Sequence, residues 1–391
     1  KIIFILGALS AFGPFSIDMY LPGFPAVARD LGTDIEHVAL SLSSYFVGIS
    51  LGQLIYGPLV DRFGRKKPLL VGLVLYGLSA VGCASAGSIG WLIALRLFQA
   101  LGACAGLVAS RAVVRDLFPV TEIAKVFSAL MLVMGVAPII APSIGGAITA
   151  AFGWRSIFIF LVGFTAVMTV AVAYLFPESK EADPTVSFHP WAMLREYAAI
   201  ARDHEFITYG VAGGLSSAGL FAYISAASFV FMDLFGFTPL VFGQFFALNA
   251  AGLITGSQLN TLLLRKRTGP QILRMVSTVL FLSTVALVGS NLLWGATPLG
   301  TIAPLFLYLF MHGFMNPNTA ALALAPFTRN AGSASALLGA GQMLLSAAVS
   351  ALVSALHNGT AMPMAGMMLL CAGGSWMLIM THERRIATSI R

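Results

Sequence analysis

Apolar stretches of about twenty residues follow one another almost back to back along this 391-residue chain, and no other feature constrains its fold as strongly. A helix needs roughly 20 apolar residues to cross the hydrocarbon core of a bilayer. Breaks in hydropathy predict spans near 2–28, 37–57, 68–87, 89–113, 123–150 and 155–176, then near 205–231, 240–264, 272–294, 298–326, 333–356 and 361–380. They are apolar nearly all round, as lipid-facing helices are. Between the sixth and seventh lies the longest polar stretch, Pro177 to His204, with Glu178, Lys180, Glu181, Asp183 and Pro184. Within it, Trp191, Leu194, Tyr197 and Ile200 predict a short amphipathic helix on the membrane surface. The expectation is an all-α membrane protein of twelve transmembrane helices in two six-helix bundles. The bundles would be residues 1–176 and 205–391, the second carrying a cytoplasmic tail, joined by a cytoplasmic linker over 177–204.

Composition agrees. Charged residues make up 9% and apolar residues 58%, too few charges to coat several soluble surfaces. The net charge of +7 sits in short turns, with no interleaved aromatics to stack on bases, so no nucleic-acid partner is expected. Cys83, Cys104 and Cys371 lie scattered inside apolar spans without metal or disulfide spacing. No phosphate-cradling loop, HExxH or nucleophile elbow appears, so the chain reads as no enzyme, with no cofactor and no metal. Energy must come from a gradient or a partner. The chain begins inside its first apolar span without Met or a cleavable signal, so residues are expected to be missing there.

Turns on one side hold Arg62, Arg65, Lys66, Lys67, Arg115, Lys125, Arg265, Lys266, Arg267 and Arg329, and the tail adds Arg384, Arg385 and Arg391. The other side holds little beyond Arg29 and Arg155, alongside Asp30, Asp34 and Glu36. The positive-inside rule places both termini in the cytoplasm.

Polar residues inside spans are expensive and mark candidate sites. Asp18 lies about ten residues, roughly 15 Å, from the outer end of the first span. A protonatable carboxyl there suits proton coupling; the alternative is a wetted, structural acid. Arg96 lies roughly 10 Å deep in span four, Gln99 one turn along shares its face, and Tyr45 of span two falls in the same layer. Arg96 cannot lose its charge, so it would hold the Asp18 anion or a substrate, or else bond carbonyls structurally. Span five carries Gly135, Pro138, Pro142, Gly145 and Gly146: prolines that free carbonyls and glycines that permit close approach. The second half has no intramembrane acid or arginine. Its Asn249, Asn260, His312, Asn316, Asn318 and Gln342, with Phe221, Tyr223, Phe245, Phe246 and Met311, would suit lipophilic ligands or simply packing. Tyr45, Gln99, Phe221, Tyr223, Phe246, Asn249, Met311, Asn316 and Gln342 are the candidate substrate contacts.

The run Gly57-Pro58-Leu59-Val60-Asp61-Arg62-Phe63-Gly64-Arg65-Lys66-Lys67-Pro68 is more than a topogenic basic turn, since anchoring does not need Gly57, Asp61 or Gly64 at fixed offsets. It resembles the loop between helices 2 and 3 of the major facilitator superfamily, where that turn acts as a latch between the halves. The resemblance implies that Asp61 faces the positive N-terminal end of the eleventh helix near Gly332 and that Arg65 reaches Asp116. The turn after the eighth span, Leu264 to Gly269, keeps cations and a glycine but lacks the acid.

Ser16-Ile17-Asp18-Met19-Tyr20-Leu21-Pro22, and Ser44-Tyr45-Phe46-Val47-Gly48 running on to Gly57-Pro58, are similar to the Bcr/CflA group of drug:proton antiporters. Arg96-Leu97-Phe98-Gln99 resembles the span-four motif of proton-coupled facilitators. The Arg111–Asp116 ending, the two Ala-Pro pairs of span five and Gly332 to Gly339 also resemble the group. The likeness implies a monomeric antiporter of the bacterial inner membrane. It would export drug-like small molecules, bicyclomycin and chloramphenicol among them, against protons. Some relatives carry a second acid two turns before the Asp, where this chain has Ser10. A dedicated amino-acid or siderophore transporter of the same fold is the alternative.

Overall fold

The computed structural model describes residues 2–118, 120–183, 190–327 and 331–389. The first expected span is three helical pieces: α1 (Ile2–Ser10), α2 (Phe12–Asp18) and, after a 3-10 turn at Leu21–Gly23, α3 (Phe24–Asp30). Then come α4 (Ile35–Phe63), α5 (Lys66–Ala84), α6 (Ile89–Leu117), α7 (Val120–Phe152), α8 (Arg155–Leu175) and the short α9 (Pro190–Ile200). The remaining helices are α10 (His204–Ser228), extended by a π-helical turn at Phe229–Leu234, α11 (Pro239–Leu263), α12 (Gly269–Trp294), α13 (Pro298–Leu324), α14 (Ala331–Ala355) and α15 (Met362–Ser389). Among the described residues eleven helical spans are long and apolar enough to cross a membrane, and α7 adds the shorter apolar stretch Val136–Phe152. Exposed Val71, Leu78, Val167, Leu292 and Leu370 fit a solvent of lipid rather than water.

Local chemistry sets the boundaries. Asp34 accepts from His37 N at 2.8 Å to cap α4, Asp203 accepts from Phe206 N at 2.8 Å to cap α10, and Thr268 with Gln271 forms a capping box on α12. Gly64 ends α4 at φ +82° and Gly295 ends α12 at φ +71°.

The breaks in the first span follow from its prolines. Pro14 has no N–H to give the Ser10 carbonyl, and Pro22 has none for the Asp18 carbonyl. The chain interrupts its helix at Ala11 and again directly after Asp18, where Tyr20 N bonds Ile17 O at 3.3 Å instead of the Ser16 carbonyl. The span expected near 2–28 stands as one stretch, Ile2–Asp30, built of three helical pieces.

The chain divides into two compact units, Lys1–Arg195 with Thr238–Ala247, and Glu196–Phe237 with Leu248–Arg391. The expected linker is thus shared between the units, and the first part of α11 belongs with the first: a Cβ at Gly243 would lie 3.0 Å from the Ser143 backbone of α7. In the first unit α6 packs against α4 and α5, and α5 against α8; in the second, α10 packs against α13, α14 and α15. At one edge of the first unit Asp30 takes an ion pair from Arg155 and a hydrogen bond from Trp154 Nε1 at 3.2 Å.

Candidate functional site

The break after Asp18 creates the first polar centre. A helix C-terminus leaves carbonyls without intrahelical donors, and the Ser16 carbonyl is one. Arg96 Nη2 fills it at 2.9 Å, reaching across from α6. Its Nη1 donates to Gln99 Oε1 at 2.7 Å, and the guanidinium lies over the rings of Tyr45 (4.3 Å), Tyr20 (4.9 Å) and Phe158 (5.9 Å). Arg96 is fully buried at 0% exposure, so this permanent cation is compensated by two carbonyl oxygens and three aromatic faces.

Arg96 does not pair with Asp18. The two form no ion pair, and Asp18, 5% exposed, has no side-chain partner among the described residues. The expectation that Arg96 grips the Asp18 anion is corrected: the helix break offers the guanidinium a carbonyl first. The structure does bring Tyr45, Gln99 and Arg96 together, and three buried atoms there, Tyr45 Oη, Arg96 Nε and Gln99 Nε2, have no hydrogen-bond partner. Two can only donate, and the phenol can donate as well. Sequence reasoning missed two further polar contacts of the first span. Ser16 Oγ meets Tyr76 Oη at 2.6 Å, and Tyr20 Oη meets Ser41 Oγ at 3.0 Å. The proline spacing was the available signal.

Helix α7 leans on the same break. A Cβ at Gly145 would overlap the Met19 carbonyl oxygen, so α7 touches the peptide between Met19 and Tyr20, one residue beyond Asp18. Pro138 and Pro142 lie within α7, which stays helical through both, and Gly146 faces the Pro239 carbonyl, 3.1 Å from where its Cβ would be. The surroundings of Gly135 lie outside the described residues, as do Arg329, Arg391, Pro184 and the side chains of Arg115, Lys125, Arg384 and Arg385.

The second centre is the turn between α4 and α5. Arg65 donates from Nε to Asp116 Oδ2 at 2.8 Å, from Nη1 to Asp61 Oδ1 at 2.7 Å and to the Val60 carbonyl at 2.8 Å. Burial works against its charge, yet the hydrogen bonds to Asp116 and Asp61 prevail and raise its pKa above the ordinary value. Asp61 takes a second cation, Lys180 Nζ, at 3.6 Å. Three further contacts come from the chain after α8. Glu178 Oε1 accepts from Arg65 N at 2.6 Å, its Oε2 from Lys66 N at 3.2 Å, and Ser179 Oγ donates to Asp116 Oδ2 at 3.0 Å. Sequence reasoning assigned Glu178, Ser179 and Lys180 to the linker alone. Gly57 has open space where a Cβ would be.

In the second unit Asn249 Nδ2 donates to Tyr223 Oη at 3.1 Å. Phe221, Met311 and Gln342 are half-buried and Asn316 is exposed, while Phe246, 5% exposed, belongs to the first unit. His312 bonds Ser216 Oγ at 2.8 Å, Tyr308 donates to the Ser216 carbonyl at 2.7 Å, and Asn318 donates to Asn260 at 2.7 Å.

Comparison with known proteins gives this geometry a context. Residues 4–351 match the family model described as Major Facilitator Superfamily. The chain is 36% identical over 378 residues to the MFS-type transporter YdgK of Bacillus subtilis (strain 168), covering 94% of this chain and 92% of that protein. It is 34% identical over 372 residues to a bicyclomycin resistance protein homolog of Haemophilus influenzae, covering 94% and 92%. Among solved structures, a peptide transporter POT in complex with sulfate superposes with a TM-score of 0.78 at 16% identity, covering 99% of this chain and 95% of that one.

Proposed function

Because the chain belongs to the Major Facilitator Superfamily, we propose that it is a proton-driven exporter of lipophilic drug-like molecules, working by alternating access in a bacterial inner membrane with both termini cytoplasmic. The fold and family make it a multi-pass membrane transporter rather than an enzyme. Relatives named for resistance to bicyclomycin and chloramphenicol support drugs as the cargo.

One observation carries the coupling. Asp18 is buried without a side-chain partner at a helix break, in the same unit as three sealed atoms that lack acceptors. Protonated, Asp18 is neutral and its burial costs little. Ionised, it needs donors, and Arg96 Nε, Tyr45 Oη and Gln99 Nε2 are donors in want of an acceptor. Each such atom left unsatisfied costs about 1–3 kcal/mol, so losing the proton favours a rearrangement that brings carboxylate and donors together. Proton release on one side and uptake on the other would then drive the cycle. The turn around Arg65 would bias the two states as Asp61 exchanges the cations that hold it, Arg65 and Lys180, during the cycle. Phe221, Tyr223, Asn249, Met311, Asn316 and Gln342 of the second unit would supply the adaptable surface that meets cargo.

The test is substrate-induced pH change in proteoliposomes, across bicyclomycin, chloramphenicol, amino acids and siderophores. The expected result is lumenal pH change with drugs that disappears in Asp18→Asn. Coupled movement of an amino acid or siderophore alone would replace the drug reading with a metabolite one.

A further inference from the structure

We propose that Glu178 is the positioning residue that seats the cytoplasmic turn, and that its carboxylate adds a second constraint to the glycine that the backbone already favours at residue 64. The inference rests on the latch reading of that turn. Helix α5 starts at Lys66 with Arg65 as its N-cap, and Arg65 offers its own helix no side-chain acceptor. The first N–H groups of a helix need one. Here it arrives from 113 residues away, as the Glu178 carboxylate bonded to Arg65 N and Lys66 N.

The sequence dictates how it gets there. Pro177 follows the last residue of α8 and its C-cap Phe176, so the helix cannot continue and the chain turns back. Three contacts then fasten it: Ser179 to Asp116, Lys180 to Asp61 and, in return, Lys66 Nζ to the Ala173 carbonyl at 2.8 Å. Arg65 is thereby held by its backbone through Glu178 and by its side chain through Asp61 and Asp116. Displace the backbone, and the guanidinium cannot keep both carboxylates in reach. The effective linker therefore begins after Lys180, and its first residues travel with the first unit.

Gly64 completes the seat. Its φ of +82° disfavours any side chain. A Cβ there would also stand 2.9 Å from Glu178 Oε2 and 3.0 Å from its Cδ. These two costs are separable, because only the second depends on Glu178.

The experiment uses the full-length chain in nanodiscs, with no ligand. Amide hydrogen exchange at Arg65 and Lys66 should speed up about two- to fivefold in Glu178→Ala, the range expected for a carboxylate at a helix N-terminus. Glu178→Gln, whose amide oxygen still accepts, should restore most of the protection. Thermal unfolding supplies the coupling: Gly64→Ala should cost less in the Glu178→Ala background than in the wild type. Unchanged exchange in Glu178→Ala, or equal damage from Gly64→Ala in both backgrounds, overturns the proposal. Maleimide labelling of cysteines introduced on either side separates it from the latch reading. If the coupling appears while neither Glu178→Ala nor Asp61→Asn alters labelling, the seat stands and the latch falls.

Discussion

The two units bury different kinds of polar group inside a membrane protein. The second holds neutral groups, some matched, such as Asn318 with Asn260 and His312 with Ser216, and some without a partner among the described residues, such as Asn249 Oδ1, Asn291 Oδ1 and Thr301 Oγ1. The first buries a permanent cation on carbonyls and ring faces, leaves a carboxyl without a side-chain partner, and strands three donors. A matched neutral pair is a joint, and nothing about it changes with protonation of a neighbour. A carboxyl without a side-chain partner beside stranded donors is free energy that one proton can redistribute. On the proposed function the first unit senses the proton and the second accommodates cargo.

The largest expected effect tests that division directly. Asp18→Asn should abolish uphill export in proteoliposomes, whereas His312→Gln should leave the proton-to-substrate ratio unchanged. Loss of coupling in both variants would erase the contrast. Stability should separate the units next. Arg96→Ala leaves the Ser16 carbonyl and Gln99 without their donors, at about 1–3 kcal/mol for each group, and Arg96→Lys should recover only part because it lacks the planar fork. Replacing Asn260 and Asn318 together by Leu should be nearly neutral, since both partners leave at once. Thermal unfolding of purified protein decides it, and equal costs would mean that the first unit stores nothing special.

Smaller still is the turn. Asp61→Asn should shift the inward–outward balance by about 0.3–1 kcal/mol, read as labelling of cysteines on the two faces, with substrate affinity intact. Last come the caps, where the difference should vanish. Asp34→Ala and Asp203→Ala each remove one acceptor from a helix N-terminus and should cost about 0.5–1 kcal/mol alike. Burial opposes ionisation of Asp34, but the His37 N–H and imidazole hold its carboxyl below the ordinary value. A depressed pKa stabilises above the unfolded value and loses that contribution as pH falls through the folded one. Acidification should therefore level wild type and Asp34→Ala.

Much of the scaffold was legible because lipid demands long apolar helices and leaves few charges to misplace. Asp18, Arg96 and the Asp61 turn stood out for the same reason. The partner of Arg96 did not, because it is a backbone oxygen left without a helical donor where α2 ends at Asp18. Glu178 was hidden by distance: nothing local in a glutamate marks it as the cap of a helix 113 residues earlier. In the second unit the amides carry no charge to price their depth, so composition ranks them no higher than packing. Asn316, exposed on its helix, shows the limit of that reading.

The bare methylene of Gly145 against the Met19 carbonyl has a mechanical meaning. Side chains cushion most helix crossings, and a small turn on one side dies out in rotamer changes on the other. Between α7 and the first span there is no such cushion at the peptide that joins Met19 to Tyr20. Should that peptide plane tip, α7 must follow like a cam follower riding bare metal. Even one methyl group at Gly145 would jam the bearing while touching neither proton nor cargo.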